Sequence, residues 1–187
     1  VIADDLSTGL KSKLPSKEYT NWTFVYCDVN RYQEISEIML VHQFDYVFHY
    51  AAVVGVKRTQ ENPIMVLNDI QGIKNVLQLC KNTSVKRVFF SSSSEVYGEP
   101  VELPQHEETT PLNSRVPYAV VKNVAESFCK SYQKEFGLNY TIFRFFNTIV
   151  TEKTAPIRPP KKTKPDPLKT CPSGCEDAKI SSKFSIM

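Results

Sequence analysis

Short apolar segments alternate along this chain with longer segments whose apolar residues recur at helical spacing. The short segments predict buried strands at residues 23–27, 45–50, 85–91 and 140–146. The longer segments predict helices at residues 32–44, 62–80 and 117–136, and Pro117 and Gly137 mark the two ends of the last helix. Such alternation is typical of a parallel sheet with helices on both faces. The predicted fold class is therefore α/β with a doubly wound parallel sheet.

The strand predicted at residues 85–91 runs into consecutive serines, and a tyrosine and a lysine follow in the next helix. Residues at the end of such a strand lie at the carboxyl edge of the sheet, where α/β proteins bind ligands. Tyr118 and Lys122 are four residues apart, so a helix places both on one face. Because a nearby ammonium lowers the pKa of a phenol, we expect a lowered pKa at Tyr118, which suits proton transfer. Ser93, 25 residues before Tyr118, would complete a group able to act on an alcohol or a ketone.

The segments SSSSEVYG and PYAVVK together resemble the extended short-chain dehydrogenase/reductase family, the NAD-dependent nucleotide-sugar epimerases, dehydratases and decarboxylases. Further segments resemble that family in the same order over residues 1–148, namely VIADDLSTG, CDV, HYAAV, NDIQG and FRFFN. The resemblance implies a Rossmann-like fold, NAD as the cofactor and a nucleotide sugar, with a UDP-sugar expected, as the substrate.

The same resemblance implies which residues contact the cofactor and the substrate. Asp4 would hold the adenosine ribose, and Asp28 with the backbone of Val29 would contact the adenine. The remaining implied NAD contacts are Tyr50, Ala51, Ala52, Asn68, Tyr118, Lys122 and Phe146. Ser93 and Asn147 are the implied substrate contacts.

The chemistry that the resemblance implies passes through a 4-keto sugar. Tyr118 would take the proton of the sugar 4-hydroxyl while NAD takes the hydride, and Lys122 would bind the nicotinamide ribose and hold the phenol pKa down. Ser93 would hydrogen-bond the same sugar oxygen. Returning the hydride to the other face gives epimerisation, and loss of a carboxylate gives decarboxylation. Ser94 stands where the dehydratases carry Asp, which disfavours dehydration, and Glu95 is either a catalytic acid–base residue or a loop carboxylate.

Two features of the family pattern are missing from the sequence. The first strand with its G-x-x-G-x-x-G loop is absent, and the Tyr-Gly-Pro segment and substrate lobe do not follow residue 148. We therefore expect a piece of a longer or truncated enzyme, poorly folded or rearranged when alone, because the missing strand is central in a doubly wound sheet. The alternatives to an active enzyme are a pseudoenzyme and a non-catalytic dinucleotide-binding module.

Charge and composition separate residues 1–148 from residues 149–187. The second segment is rich in proline and lysine and contributes +4 to a formal net charge of +3, so residues 1–148 carry −1. We expect residues 149–187 to be disordered, and the charge of the first segment argues against nucleic-acid binding. The five cysteines have no framework spacing, and we expect no metal site, with Cys171 and Cys175 the weak exception.

The expected location is cytoplasmic, because no signal peptide and no apolar run of membrane-spanning length is found. Cys27, Cys80 and Cys129 lie in apolar contexts and predict buried reduced thiols. A homodimer through the helices predicted at 62–80 and 117–136 is common in the family. The apolar residues of these helices are equally explained by packing on the sheet.

Overall fold

Six parallel strands form one sheet in the computed structural model, which describes residues 1–146 and the backbone of residues 184–186. The strands are, in chain order, β1 (Ile2–Asp4), β2 (Phe24–Tyr26), β3 (Tyr46–His49), β4 (Arg87–Ser93), β5 (Tyr140–Phe145) and β6 (Phe184–Ile186). Their order across the sheet is β2-β1-β6-β3-β4-β5, and all neighbouring pairs are parallel. The prediction of a parallel α/β sheet is confirmed.

Four helices connect the strands of the described region: α1 (Tyr32–His42), α2 (Val56–Glu61), α3 (Pro63–Asn82) and α4 (Pro117–Phe136). The bounds of α1, α3 and α4 lie within two residues of those predicted. Helix α2 was not predicted, because none of its six residues is buried and it has no apolar stripe to detect. Helix α3 lies between α1 and α4 and contacts both.

Both ends of α4 are set by its sequence. Pro117 occupies the first turn, where a missing N–H leaves no helical hydrogen bond unmade. Gly137 ends the helix in the left-handed region at φ 71°, and its N–H donates to the carbonyl of Gln133 at 2.9 Å. This start places Tyr118 in the first turn of the helix, beside the carboxyl end of β4.

The core lies between the sheet and α1, α3 and α4. Along β4, alternate residues are buried, and the side chain of Ser92 reaches α4. Cys27, Cys80 and Cys129 are buried free thiols, as predicted, and burial raises the pKa of each. Cys171 and Cys175 lie outside the described residues. Within residues 1–146, none of the helices combines the length and apolar character that crossing a membrane requires.

Strand β6 occupies the position between β1 and β3, which the sequence predicted to be empty. It pairs with β3 from Tyr46 to Phe48 and with β1 at Ile2. The prediction of two unpaired inner edges is therefore wrong, while disorder over residues 149–187 stays a prediction. The inner edges of β1 and β3 carry backbone N–H and carbonyl groups that need hydrogen-bond partners. An extended segment between the two strands supplies these partners. The rest of residues 149–187 lies outside the described residues.

Candidate active site

A cleft of about 470 Å³ opens at the carboxyl ends of β1, β2 and β3. We call it the main cleft. The residues that line it are Ala3, Asp4, Asp5, Ser7, Thr8, Cys27, Asp28, Val29, Asn30, Tyr50, Ala51, Ala52, Val53, Val54, Arg58, Met65, Asn68 and Asp69. Its position agrees with the rule that ligands of parallel α/β sheets bind beyond the carboxyl ends of the strands.

The structure brings Ser93, Tyr118 and Lys122 together. Ser93 ends β4, and its hydroxyl accepts the N–H of Glu95 at 3.2 Å and lies close enough to Tyr118 to affect the phenol pKa. Lys122 is buried, and its ammonium donates to the Ser91 carbonyl at 2.7 Å. The Lys122 Nζ atom lies 5.6 Å from the centroid of the Tyr118 ring. A phenol, a hydroxyl and an ammonium are thus held side by side at the end of one strand.

The pKa of Tyr118 is raised from its ordinary value, so the expected lowering is wrong for the chain without a ligand. Burial is the main cause, followed by the negative charge of Glu95, while the nearby Ser93 hydroxyl acts in the opposite direction. Lys122 is affected by burial as well, which lowers its pKa to about 8 against the opposing charge of Asp69. The sequence reveals that Tyr118 and Lys122 are close, but it does not reveal how far each side chain is removed from water.

Glu95 is exposed and lies near enough to Tyr118 for its charge to raise the phenol pKa. It follows Ser93 in a short 3-10 turn, Ser94–Tyr97. This position fits both interpretations of Glu95, since an exposed carboxylate beside the phenol can exchange protons or simply interact with solvent.

Seven of the implied cofactor contacts line the main cleft: Asp4, Asp28, Val29, Tyr50, Ala51, Ala52 and Asn68. Tyr118 and Lys122 are not among its lining residues, but Asp69 lines the cleft and interacts electrostatically with both. Phe146 is exposed and lines a separate depression of about 230 Å³ with Tyr97 and Arg144. Asn147 lies outside the described residues.

Two polar residues of α3 that sequence reasoning missed support the wall of the cleft. The buried Asn75 donates its amide to the carbonyls of Val29 and Asn30, at 2.9 and 3.1 Å. The Asp69 carboxylate accepts the N–H of Val53 at 2.6 Å, and burial raises the pKa of Asp69. No apolar spacing marks Asn75 in the sequence, because it lies on the side of α3 that carries Gly72 and Leu79 and not on the stripe of Val66, Ile73 and Leu77.

A buried ion pair joins α4 to β5 and was also missed. The Arg144 guanidinium donates to both carboxylate oxygens of Glu126, at 2.9 and 2.6 Å, and Glu126 also accepts the Ser92 hydroxyl at 2.6 Å. Arg144 further donates to the Tyr97 hydroxyl at 2.9 Å. Because Ser92 and Tyr97 flank Ser93, this network fixes the segment that carries the serine. Glu126 is four residues beyond Lys122, so helical spacing alone places it on the same face.

Residues 1–162 match the model of the NAD dependent epimerase/dehydratase family. The chain belongs to this family. It is 32% identical over 150 residues to a putative UDP-glucose 4-epimerase of Methanocaldococcus jannaschii, which covers 79% of this chain and 47% of that protein. It is 40% identical over 114 residues to a UDP-N-acetyl-alpha-D-glucosaminuronate decarboxylase of Bacillus cytotoxicus, covering 58% of this chain and 35% of that protein.

The solved structure of UDP-glucose 4-epimerase from Brucella ovis in complex with NAD has the same fold. Its TM-score to this chain is 0.70 at 32% identity, and the match covers 78% of this chain and 44% of that chain. The chain thus spans less than half the length of the Methanocaldococcus and Brucella proteins. The predicted Rossmann-like fold and family are confirmed.

Proposed function

We propose that the chain carries the NAD-binding and acid–base part of an enzyme that modifies a UDP-sugar through a 4-keto intermediate, by 4-epimerisation or by decarboxylation. The observation that supports it best is the placement of the Ser93 hydroxyl and the Lys122 ammonium beside the Tyr118 phenol, at the edge where the main cleft opens. Both reactions are represented among the relatives, which include 4-epimerases and a decarboxylase.

The main cleft suits a dinucleotide. Its end beside β1 and β2 offers the carboxylates of Asp4 and Asp28 as acceptors for hydroxyl and amino groups, and its middle is formed by small residues, Ala51 and Ala52. Asp69 lines the cleft, and its carboxylate interacts electrostatically with the Lys122 ammonium. The residues proposed to hold NAD are Asp4, Asp28, Val29, Tyr50, Ala51, Ala52, Asn68, Tyr118, Lys122 and Phe146.

The chain's own side chains would handle the proton of the reaction. Bound NAD would supply a hydride acceptor and, in its oxidised form, a positive charge next to the phenol. Tyr118, whose pKa would then fall, would take the proton of the sugar 4-hydroxyl. Ser93 would hold that sugar oxygen, and Lys122 would stabilise the phenolate. Glu95 is a candidate second acid–base residue, and Asn147 is a candidate substrate contact.

The test is turnover of UDP-glucose and UDP-glucuronate by the chain loaded with NAD, with the products identified by NMR. A 4-epimer supports epimerisation, and a UDP-pentose with carbon dioxide supports decarboxylation. Tyr118→Phe should lower the rate roughly a hundredfold to ten-thousandfold, the range for loss of a general acid–base group. Tyr132→Phe, on the same helix, is the matched control. Absence of both products together with absence of NAD binding contradicts the proposed function, and NAD binding without turnover supports a non-catalytic module.

Homodimer formation and a cytoplasmic location are part of this proposal. Ile64 on α3 and Phe136 on α4 are exposed apolar side chains, which a partner copy could cover. Light scattering of the purified chain tests the dimer, and a monomeric mass contradicts it.

A further inference from the structure

The main cleft is lined by four carboxylates and one basic side chain. Asp4, Asp5, Asp28 and Asp69 provide the carboxylates, and Arg58 is the only lysine or arginine among the described lining residues. A ligand with phosphate groups that enters this cleft is repelled by the carboxylates. A phosphate-containing ligand can therefore bind only if a positive side chain in the cleft offsets the repulsion from the carboxylates.

Arg58 is placed to provide the compensation. It lies on α2, which begins two residues after Val54, the last residue of the cleft wall that follows β3. Its side chain is half-buried, and no carboxylate of the described residues forms an ion pair with it. The neighbouring Lys57 differs in both respects, because it is 87% exposed and lies 3.9 Å from the Glu61 carboxylate.

We propose that Arg58 binds the diphosphate of the dinucleotide; this inference rests on the proposed function. A guanidinium presents N–H groups in a fixed planar fork that matches phosphate oxygens, and such charge-assisted hydrogen bonds are the stronger kind. Asp4 and Asp28 are acceptors, which suits hydroxyl and amino groups and not an anion. Different residues would thus contact the two parts of the ligand. The carboxylates would bind the adenosine, and Arg58 would bind the diphosphate.

The test compares ligands with and without phosphate on Arg58→Ala, with Lys57→Ala as the matched control from the same helix. Affinities for NAD, ADP and adenosine are measured by calorimetry and ligand-observed NMR titration. Arg58→Ala should weaken NAD and ADP by roughly tenfold to a hundredfold, the cost of lost hydrogen bonds to a charged group, and leave adenosine unchanged. The affinity of the wild-type chain for NAD should also fall more steeply with salt than that of Arg58→Ala. Lys57→Ala should behave as wild type.

Three results overturn the inference. Equal NAD affinity in the wild-type chain and Arg58→Ala removes the role of Arg58 and leaves the proposed function standing. An equal loss for adenosine shows that the substitution disturbs the cleft as a whole, and thermal melts of both variants identify that case. If the wild-type chain binds none of the three ligands, the proposed function fails and this inference fails with it.

Discussion

At the scale of single residues, burial dominates the protonation of the candidate acid–base group. It raises the pKa of Tyr118 and lowers that of Lys122 to about 8, so each shift acts against the charged form, and Lys122 still carries its proton at neutral pH. The two groups were expected to affect each other mainly through charge. Their spacing could be inferred from Y-x-x-x-K, but their burial depends on side chains from other elements, such as Phe90, which packs against the Lys122 ammonium.

The lowered pKa of Lys122 predicts a dependence of stability on pH. Between about 8 and 10.5 the folded chain holds fewer protons at Lys122 than the unfolded chain, so the free energy of unfolding rises with pH through this window. Below about pH 8, Lys122 is charged in both the folded and the unfolded chain, so folding carries the full cost of burying its charge. Lys122→Met removes that cost, so its stability advantage over wild type should shrink by roughly 1–3 kcal/mol between pH 7 and pH 10.

Urea unfolding at a series of pH values measures this difference. Lys74→Met, at an exposed position of α3, is the control and should follow wild type. A difference between wild type and Lys122→Met that is constant over the series would mean that Lys122 is solvated.

At the scale of the elements, α3 positions the loop that carries Asp28. The Gly72 N–H donates to the Asn30 side chain at 2.8 Å, and Asn75 bonds the adjoining carbonyls. A Cβ atom at residue 72 would lie 2.8 Å from both the Asn30 side-chain oxygen and the Val29 side chain. Helix and loop therefore approach as closely as a glycine allows.

Gly72→Ala should separate α3 from this loop. We expect the free energy of unfolding to fall by roughly 1–3 kcal/mol, the usual cost of overpacking, and the affinity for adenine nucleotides to fall as Asp28 shifts. Chemical denaturation and ADP titration measure the two effects. Lys74→Ala, on the solvent side of the same helix, should change neither. Unchanged stability in Gly72→Ala would contradict the close approach.

The sequence identified some of the α3 residues that contact the cleft and the loop carrying Asp28. The N-x-x-x-G pattern pointed to Asn68, which lines the main cleft, and to the glycine. Asp69 and Asn75 were missed, since a polar residue on a helix indicates solvent exposure unless its buried partner is known. Their partners are backbone groups of Val53, Val29 and Asn30, and only the folded chain brings these groups within reach.

At the scale of the whole molecule, strand order was the part that sequence could predict least. The alternation of strands and helices and the predicted sheet are confirmed, but the central position belongs to β6, from the far end of the chain. Phe184 and Ile186 alternate with Ser185, which is compatible with a strand, yet three residues provide too short a pattern to indicate a partner. Whether the isolated chain unfolds cooperatively stays a prediction for a thermal melt.

The measurement that tests the account most directly is calorimetric titration of the 187-residue chain with NAD. Saturable one-to-one binding is predicted, weakened in Asp4→Ala, because that carboxylate is proposed to hold the adenosine ribose. A chain that melts cooperatively but shows no saturable NAD binding would contradict the assignment of the main cleft.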